Sequence, residues 1–177
     1  GCEGKALPTL QYGYGGFMVA EFPTYLDDVG KLWIEKGGSY VLCNIRGGSE
    51  FGPSWHQQAL KENRMKCYED FIAISEDLIR RGLTSAQQLG IQGRSNGGLL
   101  TGATMALRPD LYGAVLIEVP LLDMIRYTEL PPGASWAKEY GGPGDPMIRE
   151  VILKYSPYQN IKKDMKMLFG HIKELLL

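Results

Sequence analysis

The sequence lacks the features of a membrane-embedded or polyanion-binding protein. Its 177 residues carry 20 acidic and 19 basic side chains, and neither sign forms a long block. This balance argues against nucleic acid or an anionic membrane surface as a partner. The longest apolar stretch, residues 114 to 122, is interrupted by Glu118 and Pro120 and is far shorter than the ~20 residues that cross a bilayer. We therefore expect no membrane association.

Cysteine is also scarce. The three cysteines, Cys2, Cys43 and Cys67, lie far apart and show no Cys-x-x-Cys spacing. This argues against a disulfide framework and a zinc site, and we expect neither a metal nor another cofactor. Residues 1 to 5 contain no apolar segment of the kind found in a signal peptide. These features predict a cytoplasmic protein, with the periplasm as the alternative.

Glycine, in contrast, is abundant. The chain has 23 glycines in 177 residues, well above the usual ~7%. Hydrophobic residues make up 44% and no Gly-X-Y period is present, which excludes disorder and a collagen-like fibre. Many glycines occur in pairs beside apolar segments, and such pairs predict tight turns in a folded protein. The pairs are 15–16, 37–38, 47–48, 97–98 and 141–142.

Short apolar runs alternate with segments of helical periodicity along most of the chain. This alternation predicts one α/β domain with a mostly parallel sheet and helices on both faces. Residues 127 to 146 are rich in Pro, Gly and aromatic residues and predict a long ordered loop, of the kind that often shapes a pocket. The predicted strands are 7–12, 40–45, 89–92 and 113–119, and the predicted helices are 25–36, 66–81, 97–107 and 147–154.

The segment Gly93-Arg94-Ser95-Asn96-Gly97 fits the G-x-S-x-G pattern of a nucleophile turn, and it lies between a predicted strand and a predicted helix. Such a turn exposes the serine hydroxyl, and side chains at 93 and 97 would collide with the strand and the helix. The backbone N–H of Asn96 would then face a developing oxyanion. The alternatives are an incidental serine in a Gly-rich turn and a phosphate cradle. The cradle is disfavoured because no Lys-Ser/Thr pair follows.

Six segments in colinear order give this motif a more specific context. Together they resemble the catalytic domain of prolyl oligopeptidases, which are serine peptidases of the α/β-hydrolase fold. The resemblance spans about residues 7 to 161 and implies a three-layer sandwich. The segments are YGYGGF (12–17), NIRGGSEFGPSWH (44–56), GRSNGGLL (93–100), RPDLYGAV (108–115), GASWAKEYG (133–141) and KYSPYQNI (154–161).

The resemblance implies a role for each matching residue. Ser95 matches the nucleophile that forms the acyl-enzyme, Asn96 contributes a backbone oxyanion donor, and Tyr14 contributes a hydroxyl as the second donor. Short proline-containing peptides are the implied substrates, and a flat apolar slot suits the proline ring. For the aromatic pocket residues the alternative is ordinary loop packing. The residues at substrate-pocket positions are Phe17, Leu121, Trp136 and Tyr140.

The sequence departs from the family where the rest of the catalytic triad would stand. His56 matches a family histidine that is not the base, and we expect it to be a structural hydrogen-bonding residue. His171 lies in a segment that does not match the family's continuation. We therefore expect a partial catalytic domain over residues 1 to 177, incomplete at its C-terminal end, without the triad Asp and His and without the family's β-propeller. Such a chain would have little peptidase activity alone, and its uncapped sheet edge would favour self-association.

Three further alternatives stay open at this point. The same core occurs in relatives that cleave after arginine. An esterase or lipase of the same fold would use Ser95 in the same way, although YGYGGF stands where lipases have an HGGG motif. A non-catalytic interaction domain could keep the fold without the chemistry.

Overall fold

The fold is built on a four-stranded sheet in which all strands are parallel. A computed structural model describes residues 6 to 163. The spatial order of the strands is β2-β1-β3-β4. The strands are β1 (Thr9–Gly13), β2 (Ser39–Cys43), β3 (Leu89–Arg94) and β4 (Ala114–Glu118). The helices are α1 (Asp27–Leu32), α2 (Pro53–Gln57), α3 (Met65–Arg80), α4 (Asn96–Leu107), α5 (Ala137–Tyr140), α6 (Pro146–Tyr155) and α7 (Pro157–Asn160).

The strand order reverses direction at β1. The chain passes from β1 outward to β2, returns across β1 to β3, and continues to β4. Thr9 of β1 therefore pairs with Ser39 on one side and with Leu89 on the other. In an open parallel sheet, ligands bind at the carboxyl ends of the strands where such a reversal occurs. The fold thus brings the loop after β1 next to the turn after β3.

Helices lie on both faces of this sheet, as the sequence predicts for a three-layer α/β fold. On one face, Gln11 Nε2 of β1 donates to the Phe71 carbonyl of α3 (2.9 Å). On the other face, Tyr12 and Tyr40 stack with ring centroids 6.4 Å apart. Val29 of α1 lines a cavity of about 500 Å³ together with these two rings. The sheet is therefore the middle layer.

The helices α3 and α4 each contribute several core residues, and each does so for a different reason. In α3, buried side chains recur three or four residues apart, which gives one apolar face. The sequence prediction of this helix is confirmed within one residue at each end. In contrast, α4 has no charged residue and is buried almost throughout. The helix α4 therefore lies between the sheet and the elements that follow it.

Two predicted segments differ from the structure. The helix predicted over 25–36 ends at Leu32 and continues as a 3-10 turn over Ile34–Lys36. The change occurs at Trp33, whose backbone leaves the helical region and whose Nε1 donates to the Ser39 carbonyl (2.8 Å). This indole contact with β2 is tertiary, so local periodicity does not report it.

The long loop predicted over 127–146 contains a 3-10 turn, Gly133–Trp136, and the single-turn helix α5. Trp136 and Tyr140 are four residues apart, so one helical turn places both on the same side against the core. The Pro and Gly residues lie around this turn, and because they are typical of loops, the composition of the segment does not indicate a helix. Among residues 6 to 163, no helix combines the length and the apolar character needed to span a bilayer.

Candidate active site

Ser95 occupies the sharp turn between β3 and α4. Its backbone lies in the left-handed half of conformational space, with φ 58° and ψ −115°, a conformation that costs energy for a residue with a side chain. Two hydrogen bonds fix it: the Ser95 N–H donates to the Glu118 carbonyl (2.9 Å), and the Ser95 carbonyl accepts from the Leu99 N–H (3.1 Å). Ser95 is exposed. The turn therefore presents the hydroxyl to solvent at the carboxyl end of β3.

The two glycines of the motif allow this turn to close. A Cβ at Gly93 would lie 2.1 Å from the carbonyl oxygen of Gly97 at the start of α4. A Cβ at Gly97 would lie 2.7 Å from the carbonyl oxygen of Gly13 at the end of β1. Both distances are far below van der Waals contact. The collisions predicted from the sequence are thus confirmed, one with the helix and one with the neighbouring strand.

Tyr14 begins the loop that follows β1, beside the Ser95 turn. Burial raises the pKa of the Tyr14 phenol, and the neighbouring Ser95 side chain opposes that rise. The phenol is consequently protonated at neutral pH and can donate a hydrogen bond. The loop continues through two further residues with left-handed backbones, Phe17 (φ 55°) and Met18 (φ 56°). Such a loop needs tertiary contacts to hold its shape.

The Asn96 side chain joins the nucleophile turn to this loop. It is 1% exposed, and its Nδ2 donates to the Tyr14 carbonyl (2.6 Å). Its Oδ1 accepts from Arg64 Nη2 (2.6 Å) and from the Tyr140 hydroxyl (2.7 Å). As the first residue of α4, Asn96 has a backbone N–H without an intrahelical partner. The side chain is thus structural, and the backbone N–H is the group available to an oxyanion.

Glu139 is a buried carboxylate that contacts three separate segments. It is 4% exposed. Its Oε1 accepts from the Phe17 N–H (2.9 Å) and from Arg64 Nη1 (3.0 Å), and its Oε2 lies 2.7 Å from His56 Nε2. A carboxylate without such partners would be costly to bury. Glu139 therefore connects the loop after β1 to α2 and to Arg64, just before α3.

Arg64 is fully buried beside this carboxylate. One guanidinium reaches both Glu139 Oε1 and Asn96 Oδ1. It also lies over the Tyr140 ring, 5.1 Å from the centroid, and over the Tyr68 ring at 5.7 Å. Burial opposes its charge, yet the surrounding groups, Tyr68 and Glu139 among them, raise the pKa of Arg64 well above its usual value. Its Nε also donates to the Tyr68 hydroxyl (3.4 Å), so Arg64 is a buried cation with three hydrogen-bond acceptors.

Arg64 and Glu139 were not predicted from the sequence. Arg64 has one hydrogen-bond partner within a helical turn, Tyr68, but the two that connect it to the site are 32 and 75 residues away, so no local spacing reveals them. For Glu139, the only signal was an acidic residue between two aromatic residues of an apolar segment, Trp136 and Tyr140. Such a residue needs a buried partner if the segment folds inward, but the sequence does not say which one.

His56 is hydrogen-bonded to Glu139, which agrees with the structural role expected for it. It is the only histidine among residues 6 to 163, and His171 lies outside the described residues. In the same part of the chain, no three His, Cys, Asp or Glu side chains cluster as metal ligands would.

The four predicted pocket residues pack against one hydrophobic cluster. Phe17 and Tyr140 meet edge to face with ring centroids 5.6 Å apart. Tyr140 is fully buried, so its ring packs against Phe17 and has no exposed surface for a substrate. Trp136 and Leu121 are partly buried at the same cluster. The structure thus places all four residues at one hydrophobic cluster, with Phe17, Trp136 and Leu121 retaining exposed surface.

Comparison with known proteins places these features in a family. The sequence profile of the prolyl oligopeptidase family matches residues 25–172. An uncharacterized peptidase of Sinorhizobium fredii is 54% identical over 155 residues, which are 88% of this chain and 21% of that protein. A prolyl endopeptidase of Elizabethkingia miricola is 44% identical over 156 residues, 88% of this chain and 22% of that protein.

The solved structures agree with the sequence comparisons. A post-proline cleaving enzyme from Rickettsia typhi superimposes with a TM-score of 0.87 at 47% identity, over 89% of this chain and 23% of that one. The chain spans about a fifth of the length of the curated relatives it matches. Because the family profile covers most of these 177 residues, the chain belongs to the prolyl oligopeptidase family of serine peptidases.

Proposed function

We propose that Ser95 is the nucleophile of a peptidase that cleaves short peptides on the carboxyl side of proline. The observation that carries this proposal is the exposed Ser95 on its left-handed turn, with Asn96 directly after it and Tyr14 held to the same turn by Asn96 Nδ2 (2.6 Å). A nucleophile beside two positioned donors is the arrangement that acyl transfer needs.

In the proposed reaction, Ser95 Oγ attacks the carbonyl carbon of the proline residue and loses its proton to a general base. The carbonyl oxygen becomes an oxyanion, which accepts hydrogen bonds from the Asn96 N–H and the Tyr14 hydroxyl. The amine leaves with a proton, and water then hydrolyses the acyl-enzyme. Tyr14 can serve as a donor because its raised pKa keeps the phenol protonated.

The general base in this mechanism is not His56. Among residues 6 to 163 its ring is hydrogen-bonded through Nε2 to Glu139 Oε2 (2.7 Å) and has no hydrogen bond to Ser95. We propose that the 177 residues alone therefore turn over peptides slowly. Hydrolysis of an N-blocked Gly-Pro-aminocoumarin substrate at the rate of the full-length relatives, abolished by Ser95→Ala, would contradict this.

The preference for proline is supported by three partly exposed apolar side chains that pack against one hydrophobic cluster. Phe17 and Trp136 offer flat aromatic surfaces, and Leu121 adds an aliphatic one. Proline has a rigid ring and no N–H, so such a slot binds it without leaving a buried donor unpaired. Relatives named prolyl endopeptidase support the same preference.

A boronic acid tests the nucleophile separately from the base. An N-acyl-proline boronic acid forms a tetrahedral adduct with a serine hydroxyl and has no leaving group to protonate. We expect the wild-type chain to bind it at least about tenfold more tightly than Ser95→Ala does, since transition-state analogues exploit the oxyanion donors. Calorimetry gives the affinities and ¹¹B NMR identifies the tetrahedral boron. Equal affinities would refute the role of Ser95.

Selectivity is tested with the same chemistry. The matched alanine and arginine boronic acids keep the reactive group and change only the side chain. We expect the proline compound to bind most tightly, and preference for the arginine compound would overturn the proposed specificity.

A further inference from the structure

The two proposed oxyanion donors belong to different elements, and one buried side chain connects both. The Asn96 N–H starts α4, whereas the Tyr14 hydroxyl belongs to the loop after β1. Arg64, just before α3, reaches Asn96 Oδ1 (2.6 Å) and Glu139 Oε1 (3.0 Å) with separate nitrogens. Arg64 itself is 0% exposed. It therefore touches neither substrate nor solvent.

Its two acceptors anchor the loop at both ends. Asn96 Nδ2 holds the Tyr14 carbonyl (2.6 Å), and Glu139 Oε1 holds the Phe17 N–H (2.9 Å). Phe17 has a left-handed backbone, so the loop has no intrinsic preference for this shape. The anchored segment, residues 14 to 17, begins with the proposed oxyanion donor Tyr14 and ends with the proposed pocket residue Phe17.

We propose that Arg64 is a positioning residue that sets the spacing between the two oxyanion donors; this inference rests on the proposed function of Ser95. The planar guanidinium holds two acceptors at a fixed separation. The ammonium of lysine carries the same charge but not the same rigid fork. The cation also balances the buried charge of Glu139. Through its two acceptors, Arg64 fixes where the Tyr14 hydroxyl lies relative to the Asn96 N–H.

The test compares two ligands on the 177-residue chain. The N-acyl-proline boronic acid uses both the pocket and the oxyanion donors. The matched N-acyl-pyrrolidide lacks boron and uses the pocket alone. For Arg64→Lys we expect the affinity for the boronic acid to fall by about tenfold or more, as expected for misplaced oxyanion donors, while affinity for the pyrrolidide stays within about twofold. This split separates positioning from general loss of structure.

Arg46→Lys is the matched control. Arg46 also makes two side-chain hydrogen bonds to one carboxylate, Asp70, and it is partly buried. Its side chain has no hydrogen bond to the loop after β1 or to the nucleophile turn among the described residues. We expect Arg46→Lys to leave the affinities for both ligands unchanged.

A double-mutant cycle with Tyr14→Phe makes the test specific. If Arg64 acts by placing the Tyr14 hydroxyl, Arg64→Lys costs much less boronic acid affinity once that hydroxyl is absent. If the two substitutions instead lower the boronic acid affinity independently, so that the fold-loss of the double variant is the product of the two single losses, the proposal is wrong. Equal weakening of the boronic acid and the pyrrolidide by Arg64→Lys would also overturn it.

A second variant covers the case in which Arg64→Lys does not fold. Glu139→Gln keeps an oxygen acceptor for the Phe17 N–H but removes the charge that pairs with Arg64. We again expect the affinity for the boronic acid to fall while the affinity for the pyrrolidide stays nearly unchanged. A folded Glu139→Gln variant without this difference would count against the proposal. Failure of the proposed function gives a different result: the wild-type chain and Ser95→Ala would then bind the boronic acid equally.

Discussion

At the scale of single residues, the nucleophile turn requires a residue without a side chain at position 93. Gly93→Ala adds a Cβ 2.1 Å from the Gly97 carbonyl oxygen, so the turn must open. We expect a loss of about 1–3 kcal/mol in the free energy of unfolding, typical of overpacking. Urea denaturation measures it. The control is Gly30→Ala in α1, where a Cβ meets nothing within 4 Å, and stability should stay equal or rise.

Another residue-scale prediction concerns the Cys67 thiol, which contacts the loop after β1. Cys67 is fully buried, its Sγ lies 3.2 Å from the Gly15 carbonyl oxygen, and burial raises the pKa of the thiol from 9.0 to about 11. The folded state thus holds this proton more tightly than the unfolded state. Its stabilising contribution is complete below pH 9.0 and is lost as the pH rises towards 11.

The measurement compares unfolding in urea for the wild type and Cys67→Ala. Between about pH 8 and about pH 10, the wild type should lose roughly 1 kcal/mol more than the variant, since one proton contributes about 1.4 kcal/mol per pH unit of separation. Other raised groups, such as Cys43 with a pKa of about 12, contribute equally to both proteins and cancel. Identical losses would show that the Cys67 thiol does not ionise on unfolding.

The sequence predicted those site residues whose signal is local. Ser95 and its glycines follow from one pentapeptide between a strand and a helix, because the steric demand of the turn acts within five residues. The structure confirms that steric demand, while the catalytic roles of Ser95, Tyr14 and Asn96 remain predictions. Arg64 and Glu139 could not be found in this way, because their partners come together only when the chain folds.

At the scale of elements, α6 depends on a defined N-cap. Asp145 Oδ1 accepts from the Met147 N–H (2.9 Å) and the Ile148 N–H (3.4 Å), and Pro146 takes the first helical position. We expect Asp145→Ala to lower the free energy of unfolding by about 1 kcal/mol, the usual value for a lost cap. Asp145→Asn keeps an acceptor oxygen and should retain most of the stability. A loss equal for both variants would point away from capping.

The elements themselves were predictable in proportion to their periodicity. The helix α3 shows its apolar face over 16 residues, so both ends fell within one residue of the prediction. The turn at Gly133–Trp136 and the helix α5 have four residues each, too few for a period to appear. They form because Trp136 and Tyr140 pack against the core, which is a tertiary cause.

At the scale of the whole molecule, one side of the sheet is incompletely covered. Among residues 6 to 163, β4 pairs only with β3, so its outer edge offers unpaired backbone groups. On the face opposite α4, Ala114 is exposed and Leu116 is 40% exposed. Val115, which points the other way, packs against the core. An unpaired edge beside exposed apolar side chains favours pairing with a second chain.

We therefore expect the 177-residue chain to self-associate through β4, with an average mass that rises with concentration in sedimentation experiments. Leu116→Lys should weaken the association by about tenfold or more, because a charge on an edge strand opposes strand pairing and apolar contact. Leu130→Lys adds the same charge at another exposed leucine, 56% exposed and outside the sheet, and should leave the association unchanged. A monodisperse monomeric wild type, or equal effects of the two substitutions, would show that the edge of β4 does not drive association.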